Sequence, residues 1–171
     1  LDKAYYSHAL DSVSAPGSDF TLKKYLKTEI DHKNIINILR SIRQGIDQDT
    51  MAKIMIPGGR SISKETLASM TKEKSLIDAI ETLVKKSHGF DSRGLLEAIE
   101  ASEEGTLDPV IQLLVKKRDA LLYSMSHRSP VSVLPVVHYI ESKTHEVQNL
   151  RLLVRGKAAG LSNEVIKEHM R

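Results

Sequence analysis

Asp31-His-Lys-Asn34-Ile35-Ile-Asn-Ile38-Leu39-Arg40-Ser-Ile-Arg43-Gln-Gly45-Ile-Asp47 is the stretch on which the fold turns. Ile35, Ile38, Leu39 and Ile42 are spaced by three and four, which sets them on one stripe of a helix. Arg40 and Arg43 fall in the last turns, where cations suit the negative helix end. Gly45 stands where a left-handed residue ends a helix, and Asp47 can cap a short helix after it. Slid by 115 positions, the stretch falls on Glu146-Val-Gln-Asn149-Leu-Arg151-Leu-Leu-Val-Arg155, followed by Gly156-Lys157-Ala-Ala-Gly160-Leu-Ser162. Only Asn, Arg and Gly are identical, but the physical roles agree. An acid precedes Asn by three (Asp31, Glu146). Apolar residues recur at Ile35/Leu150, Ile38/Leu153 and Leu39/Val154. Arg40 pairs with Arg155, and Gly45 with Gly160. A shorter echo sets Asp2-Lys-Ala-Tyr-Tyr6 on Asp119-Ala-Leu-Leu-Tyr123, at an offset of 117. One supersecondary unit is written twice, which divides the chain into a whole helical unit over 1–117 and the start of the next over 118–171.

Working outward, the helical period holds nearly everywhere. Val133, Val137, Ile140, Val147 and Val154 mark a stripe on a long helix; Leu76, Ile77, Ile80, Leu83 and Val84 mark another. Pro130 and Pro135 spoil the β-branched run between them as a central strand. The reading is all-α, with about eight helices. Pro16-Gly17-Ser18 ends a first helix near residues 2–13, and Asp19 starts the next. Pro57-Gly58-Gly59 is a strong break, after which Ser61 or Ser63 restarts the chain with Glu65 in its first turn. Thr71, with Glu73 in the first turn, and Asp91 are the next expected caps. Asp108-Pro109 opens a helix expected to run to about residue 127, ahead of Ser129-Pro130.

Composition narrows the function classes. The 171 residues include no Cys and no Trp, so thiolate metal sites and cysteine nucleophiles are excluded and stacking platforms are scarce. Residues 1–86 carry 14 basic and 11 acidic side chains, and the remainder 11 of each. The surplus is a modest patch suited to an acidic protein face or anionic headgroups, thinner than the basic stripe of a dedicated duplex binder. No apolar run is long enough to span a bilayer. The chain starts at Leu1 without a signal peptide, and is expected to begin inside a longer protein.

Catalytic constellations are absent. His138, Glu141 and His145 have ligand-like spacing, but Asn149 stands where the second His of HExxH belongs, and the expectation is a solvated polar face without metal. Ser61-x-x-Lys64 is explained by a cap and a surface lysine. Pro57-Gly58-Gly59-Arg60 could hold an anion on free amides but is not a nucleotide loop, and a tight turn is the plainer reading. Asn34 and Asn149 are expected to be buried polar anchors. Arg40 and Arg155 are expected to complement the helix end and pair with Asp31, Glu146 or their neighbours. Lys116-Lys117-Arg118 and Lys85-Lys86 are expected to be solvated. Arg43, Arg60, Arg151 and Lys157 are the candidate partner contacts. No catalytic residue, cofactor or metal is expected.

These residues also carry a resemblance. Ile30-Asp31-x-x-Asn34-Ile35…Leu39-Arg40, Ile56-Pro57-Gly58-Gly59, Tyr139-Ile140, Glu146-Val-Gln-Asn-Leu-Arg151 and Gly156-Lys157-Ala-Ala-Gly160-Leu161 resemble the C subunits of archaeal and bacterial A/V-type ATP synthases, counterparts of the vacuolar ATPase d subunit. The resemblance implies three similar helical units in a funnel with pseudo-threefold symmetry. It identifies this chain with about the last two units, ending at the family's C-terminus. It implies a non-catalytic rotor adapter, peripheral on the cytoplasmic face of the membrane, between central stalk and ion-carrying ring. ATP chemistry and proton or sodium movement would belong to other subunits. The alternatives from other classes are a helical-repeat interaction scaffold and a weak nucleic-acid-binding module using the basic first half.

Overall fold

The structure, a computed structural model, describes residues 2–14, 17, 19–102 and 106–170. Pro16 and Ser18, expected to help end the first helix, lie outside them. The described residues form nine α-helices and no strand. The chain divides into two compact units, Leu1–Leu121 and Leu122–Arg171.

The first unit begins with α1 (Asp2–Ser12) and the long α2 (Phe20–Arg43). Asp19 caps α2 as expected, its carboxylate accepting from the amides of Thr21 and Leu22. Short helices follow: α3 (Gln48–Ile54) on an Asp47 cap and α4 (Lys64–Met70) on a Ser63 cap. The next two starts differ from expectation. Thr71 closes α4 instead of opening a helix, because its hydroxyl donates to the Ala68 carbonyl; Ser75 caps α5 (Leu76–Lys86). Asp91 caps nothing, because Arg93 and Lys117 hold its carboxylate; α6 (Leu95–Glu100) starts from Gly94 at φ +76°. The helix α7 (Asp108–Arg128) opens at Asp108-Pro109 as the sequence implies, and the division between units falls inside it.

The core of this unit gathers on α2. Ile35, Ile38 and Leu39 pack with Leu67 and Met70 of α4, Ile80 and Leu83 of α5, Leu95 of α6, and Val110 and Leu114 of α7. Of the predicted α5 stripe, Ile80 and Leu83 are buried, whereas Ile77 and Val84 stay exposed on its flanks. Tyr6 of α1 with Ile30 and Ile56 forms a smaller cluster.

The second unit contains α8 (Leu134–Ala158) and α9 (Asn163–Glu168). The long helix that the valine stripe marks is α8, and Val133, Ile140, Val147 and Val154 along the stripe are exposed. The α8–α9 corner carries the same bonds as the α2–α3 corner. The Gly45 amide donates to Ile42 (3.0 Å) and the Ile46 amide to Ser41 (2.9 Å). The Gly160 amide donates to Lys157 (3.1 Å) and the Leu161 amide to Gly156 (2.9 Å). Both are Schellman ends, and their glycines have φ of +65° and +75°. Next come the caps: Asp47 accepts from the Thr50 amide and Ser162 from the Val165 amide.

Candidate functional site

The motif residues of α2 form a clasp. Asn34, fully buried, donates from Nδ2 to the Ile56 carbonyl and accepts the Ile56 amide at Oδ1, both at 2.8 Å. One turn earlier, Asp31 Oδ2 accepts the Arg60 amide (2.9 Å) and the Ser61 amide (2.7 Å). The Pro57-Gly58-Gly59-Arg60 turn therefore does bind an anion, and the anion is the protein's own Asp31. A Cβ on Gly59 would lie 2.1 Å from Asp31 Oδ1, so a glycine is what permits this approach. Burial pushes the Asp31 carboxyl up, and the amides of Ser61 and Arg60 oppose that shift. The clasp ties the middle of α2 to the loop before α4 and fixes how α4 and α5 meet the α2 stripe.

The expectation that Arg40 and Arg155 pair with Asp31 or Glu146 is not met. Asp31 is held by backbone amides, and Glu146 takes Lys143 at 2.6 Å. Arg40 and Arg155 are exposed in the last turns of their helices. Arg43, Arg60, Arg151 and Lys157, the candidate contacts, are exposed too, and none makes an ion pair within 4.0 Å among the described residues. Arg43 lies at the end of α2 and Arg60 in the clasp loop; Arg151 and Lys157 lie on α8.

Lys116 is exposed, but Lys117 and Arg118 are largely covered, contrary to the solvated reading. Lys117 pairs with Asp91 at 2.8 Å, and Arg118 with Asp119 at 2.9 Å. Arg93 and Lys117 hold the Asp91 carboxyl well below the usual carboxylate range. Lys85 pairs with Glu81 and Lys86 donates to Ser69, both on the surface. Near Asp91 a pocket of about 390 Å³ is lined by Thr28, His32, Arg60, Ser61, Phe90 and Lys117 among others. His32 donates from Nδ1 to the Thr28 carbonyl and lies edge-on to Phe90. Its burial pushes its pKa down.

In the second unit, Asn149 is half-buried and Glu146 exposed, so Asn149 is not the buried anchor expected of it. Applied to Ile56, the 115-residue offset reaches position 171, outside the described residues. The His138, Glu141, His145 spacing does not assemble a ligand set. His138 leans on the Tyr123 ring with centroids 5.6 Å apart, and the described residues hold no group of three His, Asp or Glu placed to share a metal. No described helix is long and apolar enough to cross a membrane.

Two partners escape sequence reasoning. Ile56 enters the clasp through its backbone, on which a sequence carries no mark. Gly156 lets Ile166 of α9 close against α8, since a Cβ there would lie 2.8 Å from the isoleucine side chain. A signal for that contact does exist: a glycine inside a long helical period marks close approach.

Comparison with known proteins matches the amino-acid sequence to a family. The model of the ATP synthase (C/AC39) subunit family matches residues 1–169. The A-type ATP synthase C subunit of Methanococcoides burtonii is 30% identical over 99% of the chain and 47% of its own length. That of Methanosarcina acetivorans is 32% identical over 99% of the chain and 46% of its own. That of Haloquadratum walsbyi is 33% identical over 98% of the chain and 47% of its own. No solved structure matches significantly. The chain thus spans about half the length of the curated relatives it matches. With a match from residue 1 to residue 169, the chain belongs to the ATP synthase (C/AC39) subunit family.

Proposed function

We propose that this protein is a non-catalytic rotor adapter of an A/V-type ATP synthase. It would bind central-stalk subunits on one side and the membrane rotor ring on the other. It would sit peripherally on the inner, cytoplasmic face of the membrane and pass torque between ATP chemistry and proton or sodium movement. The observation that carries this reading is the family match along residues 1–169, with relatives named as the C subunit of A-type ATP synthases.

The physics of the first unit supports it. A torque-bearing part needs stiffness, and stiffness needs close packing and satisfied polar groups. Ile35, Ile38 and Leu39 of the α2 stripe are fully buried, and the clasp fixes the following loop at four backbone groups. A whole helical unit and the start of a second, related by the 115-residue offset, fit the adapter reading as building blocks of a pseudo-symmetric socket. Arg43, Arg60, Arg151 and Lys157 would then meet acidic residues on the stalk or ring loops.

The test is a pull-down with the tagged chain against separately purified stalk subunits and detergent-solubilised ring. Retention of either, weakened by salt and by charge reversal at Arg43 and Arg60, is the expected result. Retention of neither, or retention of nucleic acid in their place with a steep salt dependence, would contradict the adapter.

A further inference from the structure

The cavity beside Asp91 holds open hydrogen-bonding groups that the clasp does not use. Its lining includes His32 of α2, Arg60 and Ser61 of the clasp loop, Phe90 and Asp91 between α5 and α6, and Lys117 of α7, so it lies wholly within the first unit. His32 is only 7% exposed, and its Nδ1 donates to the Thr28 carbonyl at 2.9 Å. A carbonyl only accepts, so in the neutral ring Nδ1 carries the proton and Nε2 is an acceptor. No described residue donates to that Nε2. Burial, with Arg118 and Lys117 nearby, pushes the His32 pKa down against the Thr28 carbonyl and Asp119, which keeps the ring neutral at neutral pH. Donors line the same cavity. The Arg60 side chain pairs with no acid among the described residues, and the clasp takes only its backbone amide. The Ser61 hydroxyl is likewise unpartnered among them, its amide serving Asp31. Lys117 gives one of its three N–H groups to Asp91 at 2.8 Å and keeps two. Asp91, the acid of the lining, is held by both Arg93 and Lys117, and Arg118 is matched by Asp119, so Arg60 and its basic neighbours leave the cavity positive.

We infer that this cavity is a binding site for hydrogen phosphate, an oxyanion that keeps an O–H at neutral pH: the O–H donates to His32 Nε2 while the other oxygens accept from Arg60, Ser61 and Lys117. Cations alone would take any anion. A buried acceptor among the cations changes the selectivity. Sulfate or a carboxylate would set a lone pair against Nε2 and leave both without a proton, whereas hydrogen phosphate supplies one. A site that hydrogen-bonds a ligand hydroxyl rejects the analogue that lacks it, because its own polar group is then left unpaired. A phosphate monoester stands between the two, since its second proton is mostly gone above a pKa of about 6. The site involves neither the stalk nor the ring and is independent of the rotor reading.

The probe is inorganic phosphate, titrated at about pH 7.5 into the purified 171-residue chain in a buffer free of other oxyanions, with binding heat and the histidine imidazole nitrogen shifts as readouts. The expected result is saturable one-to-one binding that moves the His32 Nε2 resonance and leaves the other histidines in place. Sulfate, acetate and glycerol phosphate should each bind at least about tenfold more weakly. Arg60→Gln should weaken phosphate about tenfold through the loss of a charge-assisted bond. Its side chain is exposed and its amide still serves Asp31, so the fold should survive, as circular dichroism would verify. His32→Phe, which keeps a ring against Phe90 but removes the acceptor, should bring phosphate down to the level of sulfate. If that variant does not fold, the His32 shift and the sulfate comparison in the unaltered chain decide the matter. No saturable phosphate binding, an unmoved His32, sulfate or acetate bound as tightly as phosphate, or indifference to Arg60→Gln would overturn the proposal. Glycerol phosphate bound as tightly as inorganic phosphate would put a monoester there without the shared proton and overturn it equally.

Discussion

Asn34 closes both of its amide hydrogen bonds on one peptide group, that of Ile56, in a site without solvent. Removing the side chain leaves a buried amide and a buried carbonyl unpaired. Asn34→Ala is therefore expected to cost about 2–6 kcal/mol, at about 1–3 kcal/mol for each of the two unsatisfied groups, measured by urea unfolding. A loss under about 1 kcal/mol would mean that water replaces the side chain. His32 gives a pH dependence. Burial depresses its pKa in the fold, with Arg118 and Lys117 adding to the depression and the Thr28 carbonyl and Asp119 opposing it. The unfolded chain then binds more protons below its ordinary value of about 6.5, so stability is full above that pH and declines as pH falls beneath it. Asp31 has the opposite sign, since its pKa is raised and falling pH relieves its burial. Melting temperature followed between about pH 7.5 and 5 should decline in the native chain, and His32→Gln should flatten the decline. An equal slope in both would remove His32 as the cause. Half of the clasp is legible in the sequence. An asparagine beside an apolar stripe and three residues after an acid announces a buried anchor, but its partner lies 22 residues away and is backbone, which no side-chain pattern marks. Likewise the Pro57-Gly58-Gly59 turn reads as a possible anion binder, while nothing in the residues says that the anion is Asp31.

At the scale of the element, the two glycine ends support a paired prediction. A Cβ at Gly45 or Gly160 meets nothing within 4 Å, so alanine there costs only left-handed backbone strain, about 1–2 kcal/mol, at both sites alike. Gly156→Ala should cost more, because its Cβ would press on Ile166. Denaturation midpoints of the three variants check this. Unequal effects at Gly45 and Gly160, or a harmless change at Gly156, would show that the corners are held by something else. Starts and stops are legible where one residue suffices to set them. Asp19, Asp47, Ser63 and Ser162 cap helices, and Gly45 and Gly160 end them. Thr71 and Asp91 defeat that reading because each has a better partner than a helix start: the Ala68 carbonyl for Thr71, and Arg93 with Lys117 for Asp91. The covered state of Lys117 is equally hidden, since it depends on Asp91, a residue far along the chain.

At the scale of the whole molecule, fold class is the most legible property, because the 3.6-residue period persists from Ile35 to Val154. What the period does not convey is which stripes are covered. Leu39 and Val154 hold matching places, yet one is in a core and the other faces solvent. Periodicity reports that a face is apolar; only the surrounding chain reports what lies on it. The family resemblance is likewise legible only in the combination of short motifs along the chain, and the assignment itself rests on the match over residues 1–169. The adapter account makes one mechanical demand: without this part, ATP hydrolysis and ion movement should come apart. The direct measurement is ATP-driven ion uptake by membrane vesicles carrying the rotary enzyme, assembled without this protein and then with it restored. The account predicts hydrolysis without uptake in its absence, and recovery of uptake on addition. Full uptake in its absence would contradict it.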